Sequence, residues 1–243
     1  MAKLYVVGFG PGGYEHMTVK AVRAIEGADL IIGYTAYVEM LKAAFPDKIY
    51  LSTPMTKEID RCRLAVEKTM AGLNVALVSS GDSGIYGMAG IVLQVADQIQ
   101  APVEIEIVPG VTAASAAAAV LGAPLMHDTA LISLSDLMTP LDLIMKRVSC
   151  VAQADFVICL YNPKSKKRKD YAAQAAALVM EHRSAQTPVG IVRHAGRDGQ
   201  QTVITELGKL AEADIDMFSI VIIGNSRTYV KDGKMITPRG YQL

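Results

Sequence analysis

The chain has 243 residues, enough for one large domain or two smaller ones with separate cores. Lys plus Arg number 24 and Asp plus Glu also 24, so no overall field draws the protein to nucleic acid or to an anionic membrane. Cys62, Cys150 and Cys159 are odd in number and show no Cys-x-x-Cys spacing, which argues against a disulfide framework and a zinc site and points to a reducing cytoplasm.

The opening apolar run Leu4-Tyr5-Val6-Val7 breaks at Gly8, too short for a signal sequence. It reads as the first of five buried strands, at residues 4–7, 29–32, 48–51, 74–78 and 103–108. Amphipathic segments fill the gaps. In the clearest, residues 57–71, Ile59, Cys62, Ala65, Val66 and Met70 share a face and Gly72 is the stop. The apolar stretch at 113–126 is interrupted by Gly122 and Pro124 and is too short and broken to span a membrane; its Ala-rich part reads as a close-packed helix. A second strand series follows at 130–133, 156–160, 189–192, 202–204 and 220–223, and Asp232-Gly233 marks a terminal hairpin. Strands alternating with helical segments predict an α/β protein of two α/β domains, residues 1–120 and 121–243.

Three strand ends are rich in small residues. Gly8-Phe9-Gly10-Pro11-Gly12-Gly13 has the G-x-G-x-x-G spacing, so an NAD(P)-dependent reductase is one reading. Against it, the second strand ends Ile31-Ile32-Gly33-Tyr34 with no acid for the ribose, and Pro11 removes an amide donor. The plainer reading is a turn that lets another group approach the backbone. Ser79-Ser80-Gly81-Asp82-Ser83-Gly84 follows the fourth strand, where open α/β sheets bind ligands; Asp82 either orients a ligand or caps a helix beginning near Ile85. Pro109-Gly110-Val111-Thr112-Ala113 repeats this build, with Thr112 as an N-cap.

Val7-Gly8-Phe9-Gly10-Pro11-Gly12, Ser80-Gly81-Asp82-Ser83-Gly84-Ile85-Tyr86-Gly87 and Pro109-Gly110-Val111-Thr112-Ala113, in this order, resemble the tetrapyrrole methyltransferase family over the full length. That resemblance implies two α/β domains, a homodimer, and S-adenosyl-L-methionine bound in the cleft between domains with a tetrapyrrole over it. Later stretches are similar to the branch that methylates C17 and contracts the corrin ring: His127-Asp128, Ile132-Ser133-Leu134-Ser135-Asp136, Tyr161-Asn162-Pro163-Lys164-Ser165 and Ile236-Thr237-Pro238-Arg239-Gly240-Tyr241. The length, and Arg61-Cys62-Arg63 after Met55-Thr56-Lys57-Glu58-Ile59, look more like its oxygen-independent, cobalt-first members than its oxygen-dependent ones. Where relatives place an aromatic residue and a cysteine after His-Asp, this chain has Thr129 and Ala130, so no thiol acts there.

By position in those motifs, the resemblance implies that Gly81, Asp82, Ile85, Thr112 and Ala113 contact S-adenosyl-L-methionine from the first domain, and Asn162, Ala195, Gly196 and Ser219 from the second. Gly10, Pro11 and Gly12 would face the substrate. A macrocycle rimmed with carboxylates calls for cations, and Lys164, Lys166 and Arg168 are the candidates; the alternative is a solvated loop. His127, with Asp128, is the candidate for proton transfer during contraction, the alternative being a histidine at a domain junction. Methyl transfer needs no protein-bound metal; any cobalt arrives inside the substrate. A scaffold protein that retains the fold without the chemistry is the other rival.

Overall fold

The computed structural model describes residues 2–165 and 168–242. By internal contacts the chain parts into two units, Met1–Ala113 and Ala114–Leu243.

The first unit carries β1 (Lys3–Gly8), α1 (Val19–Gly27), β2 (Leu30–Tyr34), α2 (Thr35–Lys42), β3 (Ile49–Thr53), α3 (Glu58–Met70), β4 (Val75–Ser79), α4 (Ala89–Gln98) and β5 (Glu104–Val108). Its five strands are parallel in the order β3-β2-β4-β1-β5. Parallel strands of this kind are apolar on both faces because helices cover both. Leu4, Val6, Leu30, Ile32, Val75 and Leu77 pack with Cys62, Ala65 and Val66 of α3 and Val92 of α4. Val7, Ile31, Ala76 and Val78 pack on the other face with Ala21 and Ile25 of α1 and Leu41 of α2. Each such fully buried aliphatic side chain contributes about 1.5–3 kcal/mol, so two continuous layers outweigh any single polar contact. The chain leaves the neighbouring strands β1 and β4 toward opposite faces, through α1 and α4. That divergence opens the crevice in which doubly wound sheets hold ligands.

The α3 face differs from its sequence reading. Ile59 is 54% and Met70 53% exposed, whereas Arg61 and Thr69 are buried beside Cys62, Ala65 and Val66. Apolar periodicity places the stripe to within one residue, and a buried guanidinium is invisible to it.

In the second unit come α5 (Ala113–Leu121), β6 (Gly122–Ala123), β7 (Thr129–Ser133), α6 (Leu141–Gln153), β8 (Val157–Tyr161), α7 (Tyr171–Met180), β9 (Pro188–Arg193), β10 (Gln201–Glu206), β11 (Ser219–Ile223), β12 (Tyr229–Lys231) and β13 (Lys234–Ile236). The main sheet runs β10-β9-β11-β8-β7, with β7 and β8 parallel, β11 antiparallel to β8 and β9, and β10 antiparallel to β9. The helical crossovers read from the sequence thus stop at β9. Beyond it β10 returns directly, and only a 3-10 turn at Leu207–Glu212 precedes β11.

The division falls after the first residue of the Ala-rich α5, where the sequence reading set it after residue 120. Local packing accounts for this. Leu121 fills the space over Gly190 of β9, where an added Cβ would lie 2.4 Å from its Cδ1, and the Tyr161 hydroxyl accepts the Ala114 N–H at 2.9 Å. Asp232 and Gly233 both have positive φ, 50° and 70°, the geometry of the tight turn that joins β12 to β13.

Candidate functional site

At the carboxyl end of the first sheet three loops meet backbone to backbone. The Phe9 N–H donates to the Ser79 carbonyl at 3.0 Å, and Gly10 and Gly81 exchange both backbone hydrogen bonds at 3.0 and 2.7 Å. A Cβ on Gly110 would stand 2.2 Å from the Gly81 oxygen and 2.4 Å from that of Gly8; one on Gly8 would stand 2.6 Å from the Ser83 nitrogen. No side chain fits at either position.

Asp82 holds this junction together. Its Oδ1 accepts the N–H groups of Gly84 and Ile85 at 2.8 and 3.0 Å, while Oδ2 accepts that of Gly110 at 3.0 Å. The buried Ser83 hydroxyl donates to the Val108 carbonyl at 3.0 Å, a second tie between the same two loops. The expected helix near Ile85 does not form. α4 begins at Ala89 with Met88 as N-cap and no side-chain cap. Asp82 therefore organises a loop, and what the sequence could not supply is the register that brings Gly110 beneath its carboxylate.

The Gly8 loop is no dinucleotide cradle. Its Phe9 and Gly10 donors are taken by protein carbonyls, and α1 opens only at Val19, capped by the Thr18 hydroxyl on the Ala21 N–H at 3.0 Å. Gly10, Pro11 and Gly12 are buried, and Gly10 is bonded to the neighbouring loop through Gly81. Ile85, Thr112 and Ala113 are partly exposed beside this junction, with the Ala113 nitrogen 3.8 Å from where a Gly81 Cβ would be.

One end of the second sheet gathers the carboxyl ends of β7, β8 and β9 and the amino end of β11. Asn162 has φ 52° and donates from Nδ2 to the Ser133 hydroxyl at 3.0 Å. Ser219 is 2% exposed, and its hydroxyl donates to Asp216 Oδ1 at 2.8 Å while accepting the Asp216 N–H at 3.1 Å. Ala195 is buried, and the Gly196 N–H donates to Gln200 Oε1 at 2.8 Å. His194 stacks on Phe218, ring centroids 5.0 Å apart. The Ser219 hydroxyl is thus fully engaged by its own turn, and its N–H donates to the Asp216 carbonyl at 3.3 Å.

One of the three expected substrate cations, Arg168, is engaged within the protein. Arg168 donates from Nη1 to the Ser135 hydroxyl at 3.1 Å and pairs with Asp136 at 3.4 Å, its side chain only 12% exposed. The Tyr171 hydroxyl donates to Asp136 Oδ2 at 2.8 Å and, with the Arg168 guanidinium, holds that carboxyl below its ordinary range. Lys164 is partly exposed, and Lys166 lies outside the described residues. Arg193 is paired with Asp214 at 2.9 Å and Asp216 at 3.1 Å. The cluster of Ser133, Ser135, Asp136, Arg168 and Tyr171 escaped the sequence reading, although Ser133-Leu134-Ser135-Asp136 at a strand end was its signal.

His127 and Asp128 precede β7 and lie at the opposite end of the sheet from Asn162 and Ser219. Five residues of strand separate the ends by about 16 Å. The Asp128 N–H donates to His127 Nδ1 at 2.9 Å, and the side chains of His127 and Asp128 are 39% and 79% exposed. An imidazole that accepts at Nδ1 carries its proton on Nε2 when neutral.

The family model Tetrapyrrole (Corrin/Porphyrin) Methylases matches residues 3–211. A Salmonella typhimurium protein named "Probable cobalt-factor III C(17)-methyltransferase" is 50% identical over 99% of this chain and 100% of its own length. A Sinorhizobium sp. protein named "Precorrin-3B C(17)-methyltransferase" is 39% identical over 98% of this chain and 96% of its own. The crystal structure of the methyltransferase CobJ superposes with a TM-score of 0.89 at 32% identity, covering 98% of this chain and 100% of that one. Uroporphyrin-III C-methyl transferase from Thermus thermophilus, solved with S-adenyl homocysteine, shares the fold at a TM-score of 0.73 and 23% identity, over 92% of this chain and 97% of its own. On the extent of the family match and the full-length identity to these methyltransferases, the chain belongs to the tetrapyrrole (corrin/porphyrin) methylase family.

Proposed function

We propose that this protein transfers a methyl group from S-adenosyl-L-methionine to C17 of cobalt-factor III (cobalt-precorrin-3), with ring contraction to cobalt-precorrin-4, in anaerobic cobalamin biosynthesis, acting as a cytoplasmic homodimer. The observation that carries the reading is the 50% identity, end to end, to a relative named "Probable cobalt-factor III C(17)-methyltransferase". The glycine-walled junction at the β1/β4 switch point supports a ligand there.

Methyl transfer from a sulfonium is an in-line displacement: the bond from methyl to sulfur breaks as the bond from methyl to carbon forms, and positive charge disperses. Acceleration comes from positioning and a matched electrostatic environment, which rigid backbone loops can supply. In the first unit the proposed donor contacts are Gly81, Ile85, Thr112 and Ala113, with Asp82 fixing the loop that presents them. In the second they are the Asn162 side chain and the backbone at Ala195, Gly196 and Ser219. Lys164 and Lys166 are proposed to meet substrate carboxylates, and Arg168 to order their loop through Asp136. His127 is proposed for proton transfer in contraction. Its placement away from Asn162 and Ser219 supports a role separate from donor binding, and its tautomer supports donation from Nε2.

The test is turnover with methyl-labelled S-adenosyl-L-methionine and cobalt-factor III, followed by mass and absorption spectra. Gain of one labelled methyl with a contracted-ring spectrum is expected; no label in the macrocycle overturns the reading. The Sinorhizobium relative favours a second substrate, precorrin-3B, and faster turnover of that macrocycle would assign the protein to the oxygen-dependent route.

A further inference from the structure

Arg61, in the first turn of α3, is only 3% exposed, yet among the described residues no carboxylate pairs with it. Its Nε donates to the Thr53 hydroxyl at 2.7 Å and Nη2 to the Pro54 carbonyl at 3.1 Å. Nη1 faces the Met88 sulfur at 3.7 Å. A thioether is a weak acceptor, and these contacts engage three of the five N–H groups of a guanidinium. The other sheltered arginines each have an aspartate within 3.6 Å, although the Nε of each makes no hydrogen bond. Arg183 donates to the carbonyls of Gly224, Phe156 and Ala152 and lies 3.6 Å from Asp155, while Arg168 and Arg193 pair with aspartates.

The position of this cation is as informative as its isolation. Thr53 ends β3, Met88 precedes α4, and both stand at the carboxyl end of the sheet, where the Asp82 junction lies. Ser79, which ends β4, is 5% exposed with no partner for its hydroxyl. By strand alternation Ser79 shares the β4 face of Val75 and Leu77, the face that α3 and α4 cover. A guanidinium stays charged in a protein, and a buried charge is unfavourable unless it is paired and hydrogen-bonded. Burial does depress Arg61 below the ordinary arginine range, although Glu58 opposes the shift at longer range.

We infer that Arg61 is a receptor for a ligand carboxylate, and that the Met88 thioether holds the place of a carboxylate oxygen until the ligand arrives. The inference rests on the methyl-transfer reading, in which both ligands carry the chemistry: the amino-acid end of the donor and the acetate and propionate chains of the macrocycle. Methionine suits the holding position because its unbranched, polarisable chain repacks easily. A bidentate carboxylate would satisfy the remaining N–H groups and neutralise the charge.

Calorimetric titration of wild type, Arg61→Lys, Arg61→Met and Met88→Leu tests this with two ligand pairs. One pair is S-adenosyl-L-methionine and its decarboxylated analogue; the other is cobalt-factor III and its methyl ester. Wild type should prefer the acid form of one pair by about tenfold or more. The pair that shows the preference identifies which ligand docks. Arg61→Met should abolish the preference, Arg61→Lys keep part of it, and Met88→Leu retain it. An acid preference that is unchanged in Arg61→Met overturns the inference, and so does none in wild type. Should Arg61→Met fail to fold, full preference in Arg61→Lys overturns it equally. If wild type binds the ligands without preference, only this inference falls; if it binds neither donor nor macrocycle, the methyl-transfer reading falls with it.

Discussion

Asp82 Oδ2 accepts the backbone N–H of Gly110 at 3.0 Å, joining the loop after β4 to the turn after β5 across 28 residues of sequence. The same carboxylate holds Gly84 and Ile85, so one side chain sets the path of the segment proposed to present the methyl donor. Asp82→Ala leaves three backbone donors without their acceptor and should lower stability by about 1–3 kcal/mol. Because the loop is its target, affinity for S-adenosyl-L-methionine should fall as well. Asp82→Asn, which keeps one acceptor oxygen, should fall between. Denaturant titration with and without the donor measures both effects; affinity unchanged in Asp82→Ala would mean that the loop does not present the donor.

Gly110 and Gly90 make a matched pair of glycines with opposite expectations. An alanine methyl at Gly110 would lie 2.2 Å from the Gly81 oxygen, a backbone atom that cannot turn aside, so Gly110→Ala must force the junction apart. Gly90 lies in α4 with nothing within 4 Å of a built Cβ. Gly90→Ala should therefore stabilise by roughly 0.5–1 kcal/mol, the helix-propensity difference. Thermal melts of the two variants should move in opposite directions, and only Gly110→Ala should lose donor binding.

The strands and terminal hairpin were legible because buried apolar runs between glycine-rich turns leave few other readings, as with Val75-Ala76-Leu77-Val78 before Ser79. What stayed hidden depends on register and strand direction. Asp82 reads as a helix cap or a ligand contact, since its third partner, Gly110, is brought near by β1 lying between β4 and β5. The antiparallel β11 carries the same apolar run as a parallel strand and so gives no sign of its direction. Arg61 was hidden for a different reason: hydropathy scores the residue and ignores its surroundings.

Cys62 and Cys159 are buried with their thiols pushed up to about 12 by desolvation, whereas Cys150 is exposed. In native protein at mild alkaline pH a disulfide reagent should therefore react quickly with one thiol, and with all three only after denaturation. The linkage has a definite sign. Below about pH 8.5 both folded and unfolded chains keep these protons and stability is indifferent to them. Between there and about 12 the unfolded chain releases protons that the fold retains, so stability should decline as pH rises. Replacing Cys62 and Cys159 with Ala should flatten that decline in denaturant titrations across the alkaline range, even though the cavities lower stability at every pH. A decline left unchanged would show that other groups cause it.

His127 offers a way to separate the two chemical stages. It precedes β7, at the far end of the second sheet from Asn162 and Ser219, and its Nδ1 already accepts the Asp128 N–H. A neutral imidazole held in this way can donate from Nε2, and cannot accept there until it has done so. His127→Ala should therefore leave the donor Kd and the first methyl transfer within about threefold of wild type, since neither draws on a proton from this ring. Contraction should fail, and the methylated, uncontracted macrocycle should accumulate in the mass and absorption spectra. His127→Asn can supply the acceptor at the Nδ1 position without a donor at Nε2 and should behave like Ala; His127→Gln, which can place an amide N–H near Nε2 but cannot give up a proton there, should also stall. Normal contraction in all three variants would remove His127 from the chemistry, while loss of donor binding in His127→Ala would assign it to the methyl-donor site instead.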